Sequence, residues 1–232
     1  ESLPMATKCG GYILNSFYIN GRWKKASSSA DKMSIINPAS INGIGSVALG
    51  SIADVDDAVR AARVAFQEFQ GSTKNERLGY LENILTVYKS RYEEFVEAIC
   101  LEMGSPVTLS REAQAYTAIE HLESTIAALE KFELREEYDG YHLKYEPVGV
   151  CGLITPWNWP ISQLVAKIAP AIAAGCTMVV KPSEFSPLSA QLFAEVVDEA
   201  NLPAGLFNLV YGDGKEVGPA ISHHPQIDML SF

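Results

Sequence analysis

Three groups of polar residues interrupt the apolar carboxyl-terminal part of the chain, and each group follows a short apolar run typical of a buried strand. The groups are Thr155-Pro156-Trp157-Asn158, Lys181-Pro182-Ser183-Glu184 and Tyr211-Gly212-Asp213-Gly214. Helix-like segments separate the apolar runs, which predicts a parallel sheet with helices on both faces. Because ligands of such sheets bind where the strands end, we expect the three groups to lie at one ligand-binding edge.

The residue types in two of these groups suit a dinucleotide. Lys181 can donate to ribose hydroxyls or phosphate, and Glu184 can accept from a ribose 2′-OH while repelling a 2′-phosphate. Gly212 and Gly214 leave room for a base or a backbone to approach. The absence of a GxGxxG motif counts against an ordinary Rossmann fingerprint. The alternative is that Lys181 and Glu184 form a solvated loop pair and that the glycines form only a turn.

Asn158 lies between two tryptophans, and its amide needs hydrogen-bond partners if it is buried. One interpretation is that the amide donates to a developing oxyanion in a pocket. The other is that Asn158 is a helix N-cap or a turn residue before Pro160, which the spacing alone slightly favours.

Composition narrows the class of protein. The 232 residues carry a net charge of −10, with 47% hydrophobic and 20% charged residues, which indicates a folded core and argues against nucleic-acid or anionic-membrane partners. We see no signal peptide and no apolar run near the roughly 20 residues of a membrane span, so we expect a reduced, cytoplasmic protein. No CxxC pair occurs, which argues against a metal site, and Cys151 and Cys176 are expected in the core rather than in chemistry. The other cysteines are Cys9 and Cys100.

The first 132 residues are predicted to form short strands followed by helices. The stretch FYINGRW predicts a hairpin that turns at Asn20-Gly21. Helical spacing then predicts a helix that starts near Ser51, a second over residues 75–103 and a third over residues 108–132. Further on, residues 133–146 predict a hairpin that turns at Asp139-Gly140. Its charged arms bury little, so we expect it to lean on the protein body or on another subunit.

The longest motifs resemble those of the NAD(P)-dependent aldehyde dehydrogenase superfamily. The motifs are EPVGVCGLITPWNWP, KIAPAIAAGCTMVVKPSEFSPLSA, EVVDEANLPAGLFNLVYGDG and HPQIDMLSF, with looser similarity at FYINGRW and INPAS. The resemblance implies an α/β fold with a Rossmann-type parallel sheet, an N-terminal strand and helix region and a protruding hairpin. Residues 1–132 would begin the cofactor-binding domain, 133–147 would serve assembly into a homo-oligomer (dimer or tetramer), and 148–232 would form an incomplete NAD-binding portion.

The resemblance also implies roles for single residues. Asn158 would donate to the oxyanion of an aldehyde substrate, and Lys181 and Glu184 would hold the adenosine ribose of NAD, with NADP less favoured. The remaining expected cofactor-binding residues are Ile154, Thr155, Pro156 and Trp157 along the cleft, Ser183 of the KPSE motif, and Gly212 and Gly214 beside the adenine.

The implied reaction oxidises an aldehyde to a carboxylic acid. A cysteine thiolate attacks the aldehyde, hydride passes to NAD, and a glutamate activates water to release the acid from the acyl-enzyme. The chain ends at Phe232, before the segments expected to carry that cysteine and that glutamate. We therefore expect this chain to be the N-terminal portion of an NAD-dependent aldehyde dehydrogenase, and we expect the chain by itself to be catalytically inactive. The alternative is a truncated, non-catalytic protein that retains a nucleotide cleft or an assembly surface.

Overall fold

Strands and helices alternate through the residues described by the computed structural model, which are 11–27 and 30–232. The strands are β1 (Tyr12–Leu14), β2 (Ser16–Ile19), β3 (Arg22–Lys25), β4 (Lys32–Asn37), β5 (Asn42–Ala48), β6 (Arg135–Tyr138), β7 (Tyr141–Lys144), β8 (Val150–Ile154), β9 (Thr177–Lys181), β10 (Phe207–Leu209) and β11 (Met229–Ser231). The helices are α1 (Ile52–Phe69), α2 (Lys74–Ser90), α3 (Tyr92–Met103), α4 (Val107–Leu109), α5 (Tyr116–Lys131), α6 (Pro160–Ala173), α7 (Pro187–Glu199) and α8 (Val217–Ser222), with a π-helical turn (Ser110–Gln114) before α5.

A six-stranded sheet in the order β11-β8-β9-β10-β2-β3 carries the fold. Its first four strands are parallel to one another, as the sequence predicted. All five residues of β9 are buried, because helices cover the sheet. This explains why Met178, Val179 and Val180 follow one another in the strand without alternating with polar residues. Strands β1, β5 and β4 form a separate three-stranded sheet.

The predicted N-terminal hairpin extends the six-stranded sheet. Its turn uses the left-handed conformation at Asn20 and Gly21, whose φ angles are 55° and 68°. Strand β2 then pairs antiparallel with β10. The buried amide of Asn208 closes this junction, since it accepts from the main-chain N–H of Asn20 at 3.0 Å and donates to the carbonyl of Met178 at 3.0 Å. The two ends of the described chain therefore build one sheet.

The prediction of one continuous helix over residues 75–103 is wrong, because this segment forms two helices, α2 and α3, that are separated at Arg91. Arg91 leaves helical geometry, with φ −106° and ψ 16°. Its guanidinium pairs with Glu94, Glu195 and Glu199 at 2.7–2.8 Å. The apolar stripe continues across the break, so the periodicity of the sequence did not reveal it.

The charged hairpin forms where the sequence predicted it. Strands β6 and β7 pair across Asp139-Gly140, and Gly140 has the left-handed φ of 84° that such a turn requires. Most of its residues are exposed, and the rings of Tyr138 and Tyr141 stack with their centroids 5.0 Å apart. None of the helices within residues 11–27 and 30–232 combines the length and the apolar character needed to cross a bilayer.

Candidate functional site

The three polar groups predicted from the sequence lie at neighbouring strand ends. Strands β8 and β9 pair up to Ile154 and Lys181, and the N–H of Thr155 donates to the carbonyl of Lys181 at 3.1 Å. The N–H of Val210 donates to the carbonyl of Val180 at 3.0 Å. Because the strands are parallel, the loops after β8, β9 and β10 leave the same edge of the sheet.

The loop after β9 holds a largely buried ion pair. Lys181 Nζ lies 3.1 Å from Glu184 Oε2, and only 4% and 18% of the two side chains are exposed. The ammonium also donates to the carbonyl of Pro182 at 3.1 Å. An ammonium has three N–H donors and a carboxylate accepts several bonds, so both groups keep capacity for the hydroxyls of a sugar. Ser183 is buried, and its Oγ accepts from the N–H of Phe185 at 3.2 Å, which shapes this loop.

The loop between β8 and α6 presents Asn158 outward. Thr155 is buried and Ile154 half-buried, whereas Pro156, Trp157 and Asn158 are exposed. The N-cap of α6 is Trp159, so Asn158 occupies a bend before the helix and is not its N-cap. Among the residues that the structure describes, the Asn158 side chain has no hydrogen-bond partner. Its amide is therefore available to a ligand.

The two glycines after β10 differ in their surroundings. A Cβ on Gly212 would lie 2.2 Å from Cγ2 of Val217, so close packing of α8 already requires a glycine there. A Cβ on Gly214 would meet nothing within 4 Å. Between them, the carboxylate of Asp213 accepts from the N–H groups of Lys215 and Glu216 at 3.0 and 2.9 Å. These hydrogen bonds, of which the one from Glu216 has the largest effect, lower the pKa of Asp213. The Asp213 side chain therefore stabilises the turn that this segment forms.

Sequence reasoning missed a buried carboxylate behind the site. Glu102 of α3 accepts from the N–H of Leu188 at 2.6 Å and from the N–H and hydroxyl of Ser189 at 3.2 and 2.5 Å. It thus satisfies the first turn of α7, which begins directly after the Lys181–Glu184 loop. Burial raises its pKa to about 7, against the lowering effect of these hydrogen bonds. One signal was available, since Glu102 follows Phe95 and Ile99 at helical spacing on a buried face.

The cysteines do not reach the candidate site. Cys151 and Cys176 are buried, as predicted. Cys151 is the second residue of β8, and Cys176 directly precedes β9, so both lie toward the opposite edge of the sheet from the polar groups. A hydrogen bond with Cys176, together with burial, raises the pKa of Cys151. Cys100 lies in α3, and Cys9 lies outside the described residues. Within residues 11–27 and 30–232, no group of three or more His, Cys, Asp or Glu side chains could hold a metal ion.

The parallel sheet, with helices on both faces, defines a Rossmann-like α/β protein. The sequence profile of the aldehyde dehydrogenase family matches residues 23–232, nearly the whole chain, and the chain therefore belongs to that family.

The chain is similar to dehydrogenases of known sequence and of known structure. A 3-succinoylsemialdehyde-pyridine dehydrogenase of a Pseudomonas species is 45% identical over 217 residues, which are 93% of this chain and 45% of that protein. The structure of an aldehyde dehydrogenase from Bartonella henselae superposes with a TM-score of 0.92 at 44% identity, covering 95% of this chain and 47% of the other. The chain thus spans about half the length of the relatives it matches.

Several solved relatives contain NAD⁺, among them a betaine aldehyde dehydrogenase from Staphylococcus aureus that is 32% identical and superposes with a TM-score of 0.89 over 95% of this chain and 46% of that one. A cysteine-to-alanine variant of aldehyde dehydrogenase C from Pseudomonas syringae, in complex with NAD⁺ and octanal, superposes with a TM-score of 0.91 at 47% identity. The match covers 93% of this chain and 44% of that protein.

Proposed function

We propose that this chain supplies the cofactor cleft and the oxyanion donor of an enzyme that oxidises an aldehyde to a carboxylic acid with NAD. The proposal rests on one observation: the buried Lys181–Glu184 pair and the exposed Asn158 follow the carboxyl ends of two neighbouring parallel strands. Family membership and the NAD⁺ complexes of similar proteins support it. The chain covers less than half of its matched relatives, so the activity is assigned to the full-length enzyme.

The residues present suit the cofactor. Lys181 donates to the adenosine ribose, and Glu184 accepts from its hydroxyls, which uses the spare capacity of the ion pair. The negative charge of Glu184 disfavours a 2′-phosphate, so the enzyme prefers NAD to NADP. Other cleft residues are Ile154, Thr155, Pro156, Trp157, Ser183, Gly212 and Gly214. When bound, NAD accepts the hydride that leaves the substrate.

Asn158 stabilises the negative charge that develops on the substrate oxygen. A side-chain amide can donate to that oxygen without giving up another hydrogen bond here, because it has no partner among the described residues. An amide held near an oxyanion favours the transition state over the neutral aldehyde, so it accelerates the chemical step rather than substrate binding.

The remaining parts of the proposal concern organisation. Residues 1–132 begin the cofactor-binding domain and 148–232 continue it, while the hairpin of residues 133–147 joins subunits into a homo-oligomer. The exposed aromatic residues of that hairpin support the assembly role, because a two-stranded ribbon buries too little surface alone. The enzyme acts in the cytoplasm.

A second candidate is a non-catalytic protein that retains a nucleotide cleft or an assembly surface. The chain holds no cysteine at the strand-end site among its described residues, and this observation favours that candidate for the chain alone. The intact mass of the natural protein distinguishes the two candidates, since an enzyme requires further segments.

Replacing Asn158 with Ala in the full-length enzyme tests the proposal. We expect single-turnover hydride transfer to slow by about a hundredfold or more, the usual effect of one lost donor. NAD affinity and melting temperature should change little, because the side chain is exposed and unbonded within the described chain. A stable, NAD-binding variant with the wild-type rate of hydride transfer would refute the proposed role.

A further inference from the structure

Gln114 makes an unusual contact with the loop that presents Asn158. Its side chain is 3% exposed, and its Nε2 donates to the main-chain carbonyl of Asn158 at 3.4 Å, although 44 positions separate the two residues. Its Oε1 is buried and has no hydrogen-bond partner among the described residues. A buried acceptor without a partner lowers the stability of the fold, so stability alone does not account for an amide at this position.

The backbone that carries Gln114 is also unusual, because it forms a π-helical turn. The N–H of Ala115 donates to the carbonyl of Ser110 at 2.9 Å, five residues back, which leaves the carbonyl of Arg111 without its normal helical donor. The hydroxyl of Tyr92 donates to that carbonyl instead. The hydroxyl of the buried Tyr88 donates to the carbonyl of Ala115 at 2.8 Å. Side chains of α2 and α3 thus hold the turn in place, and such turns occur often at functional sites.

The direction of the Asn158 side chain depends on its main chain. No described residue bonds its amide, so the loop backbone sets the position and direction from which that side chain leaves the main chain. On one side the loop is tied to α6 by the N–H of Gln163, which donates to the carbonyl of Trp159 at 2.9 Å. On the other side the Gln114 amide holds the carbonyl of Asn158 itself.

We propose that Gln114 is a positioning residue for Asn158: its buried amide fixes the main chain of the loop so that the Asn158 side chain faces the substrate oxygen. This inference rests on the proposed function. One neutral hydrogen bond contributes about 1 to 1.4 kcal/mol, which corresponds to roughly a fivefold to tenfold change in rate when the bond acts in the transition state.

The test compares four forms of the full-length enzyme: wild type, Gln114→Met, Asn158→Ala and the double variant. Methionine keeps the length of the side chain and removes both amide groups. We expect Gln114→Met to slow single-turnover hydride transfer about fivefold to tenfold at saturating NAD and aldehyde, with melting temperature unchanged or higher. In the Asn158→Ala background the same change should have no further effect, because Gln114 acts only through Asn158.

A chemically matched control is Gln70→Met. Gln70 Nε2 also donates to a main-chain carbonyl, that of Gln67 at 3.3 Å, but it does so on the exposed end of α1, and we expect a wild-type rate.

In Gln114→Glu, an ionised carboxylate repels the Asn158 carbonyl, whereas a protonated carboxyl donates to it. The rate of this variant relative to wild type should therefore recover as the pH falls, and this remains measurable if Gln114→Met does not fold.

The outcomes separate the two proposals. A slow Asn158→Ala variant beside a wild-type rate for Gln114→Met, or for Gln114→Glu at high pH, overturns the positioning role alone. The positioning role is also overturned if Gln114→Met slows hydride transfer by the same factor in the wild-type enzyme and in the Asn158→Ala variant. A wild-type rate for Asn158→Ala overturns the proposed function, and the positioning role with it.

Discussion

Replacing the buried Glu102 with Gln should remove a pH dependence of folding stability. Burial raises the pKa of this carboxyl from 4.5 to about 7 in the folded chain. Between these two values the folded state binds more protons than the unfolded state, so the contribution of Glu102 to stability falls as the pH rises through this window. The difference of about 2.5 units corresponds to about 3 kcal/mol in full, of which about 2 kcal/mol falls between pH 5.5 and pH 8.5.

The measurement is urea unfolding of wild type and Glu102→Gln at both pH values. Wild type should lose about 2 kcal/mol more than the variant on going from pH 5.5 to pH 8.5. The variant Glu97→Gln removes a carboxylate from the exposed side of the same helix, and its pH dependence should match that of wild type. Equal pH dependence of wild type and Glu102→Gln would refute the reasoning, because it would mean that folding does not change the affinity of Glu102 for protons.

Three further predictions concern the proposed enzyme. Replacing Glu184 with Gln removes a negative charge near the ribose, so the preference for NAD over NADP, taken as the ratio of their affinities, should fall by about tenfold. Titration of the enzyme with each cofactor measures this ratio, and Glu120→Gln, which changes an exposed carboxylate, is the control. The 232-residue chain alone should produce no NADH from a panel of aldehydes above background, and turnover that disappears on mutation of one of its cysteines would contradict this. Replacing Tyr141 with Glu should shift the full-length enzyme to smaller species in analytical ultracentrifugation, whereas His142→Glu, on the other face of the strand, should not. If Tyr141→Glu leaves the assembly unchanged, the proposed role of the hairpin in the subunit interface is refuted.

Local signals in the sequence determined the parallel sheet, both hairpins and the position of the candidate site. An apolar strand and the polar residues after it are neighbours in the chain, so the motifs that hold Asn158, Lys181 and Glu184 could be read without a structure. The turns at Asn20-Gly21 and Asp139-Gly140 were equally local, because each needs residues that tolerate a positive φ.

Tertiary structure alone decided the contacts between distant segments. At the break between α2 and α3, Arg91 pairs with Glu195 and Glu199 of α7. The attachment of β2 to β10 brings together opposite ends of the described chain. Glu102 meets Leu188 across 86 positions, and Gln114 meets Asn158 across 44. Periodicity reports which face of an element is buried, but it does not report what that face meets. The partners of buried polar groups, which support the site here, therefore had to come from the folded chain.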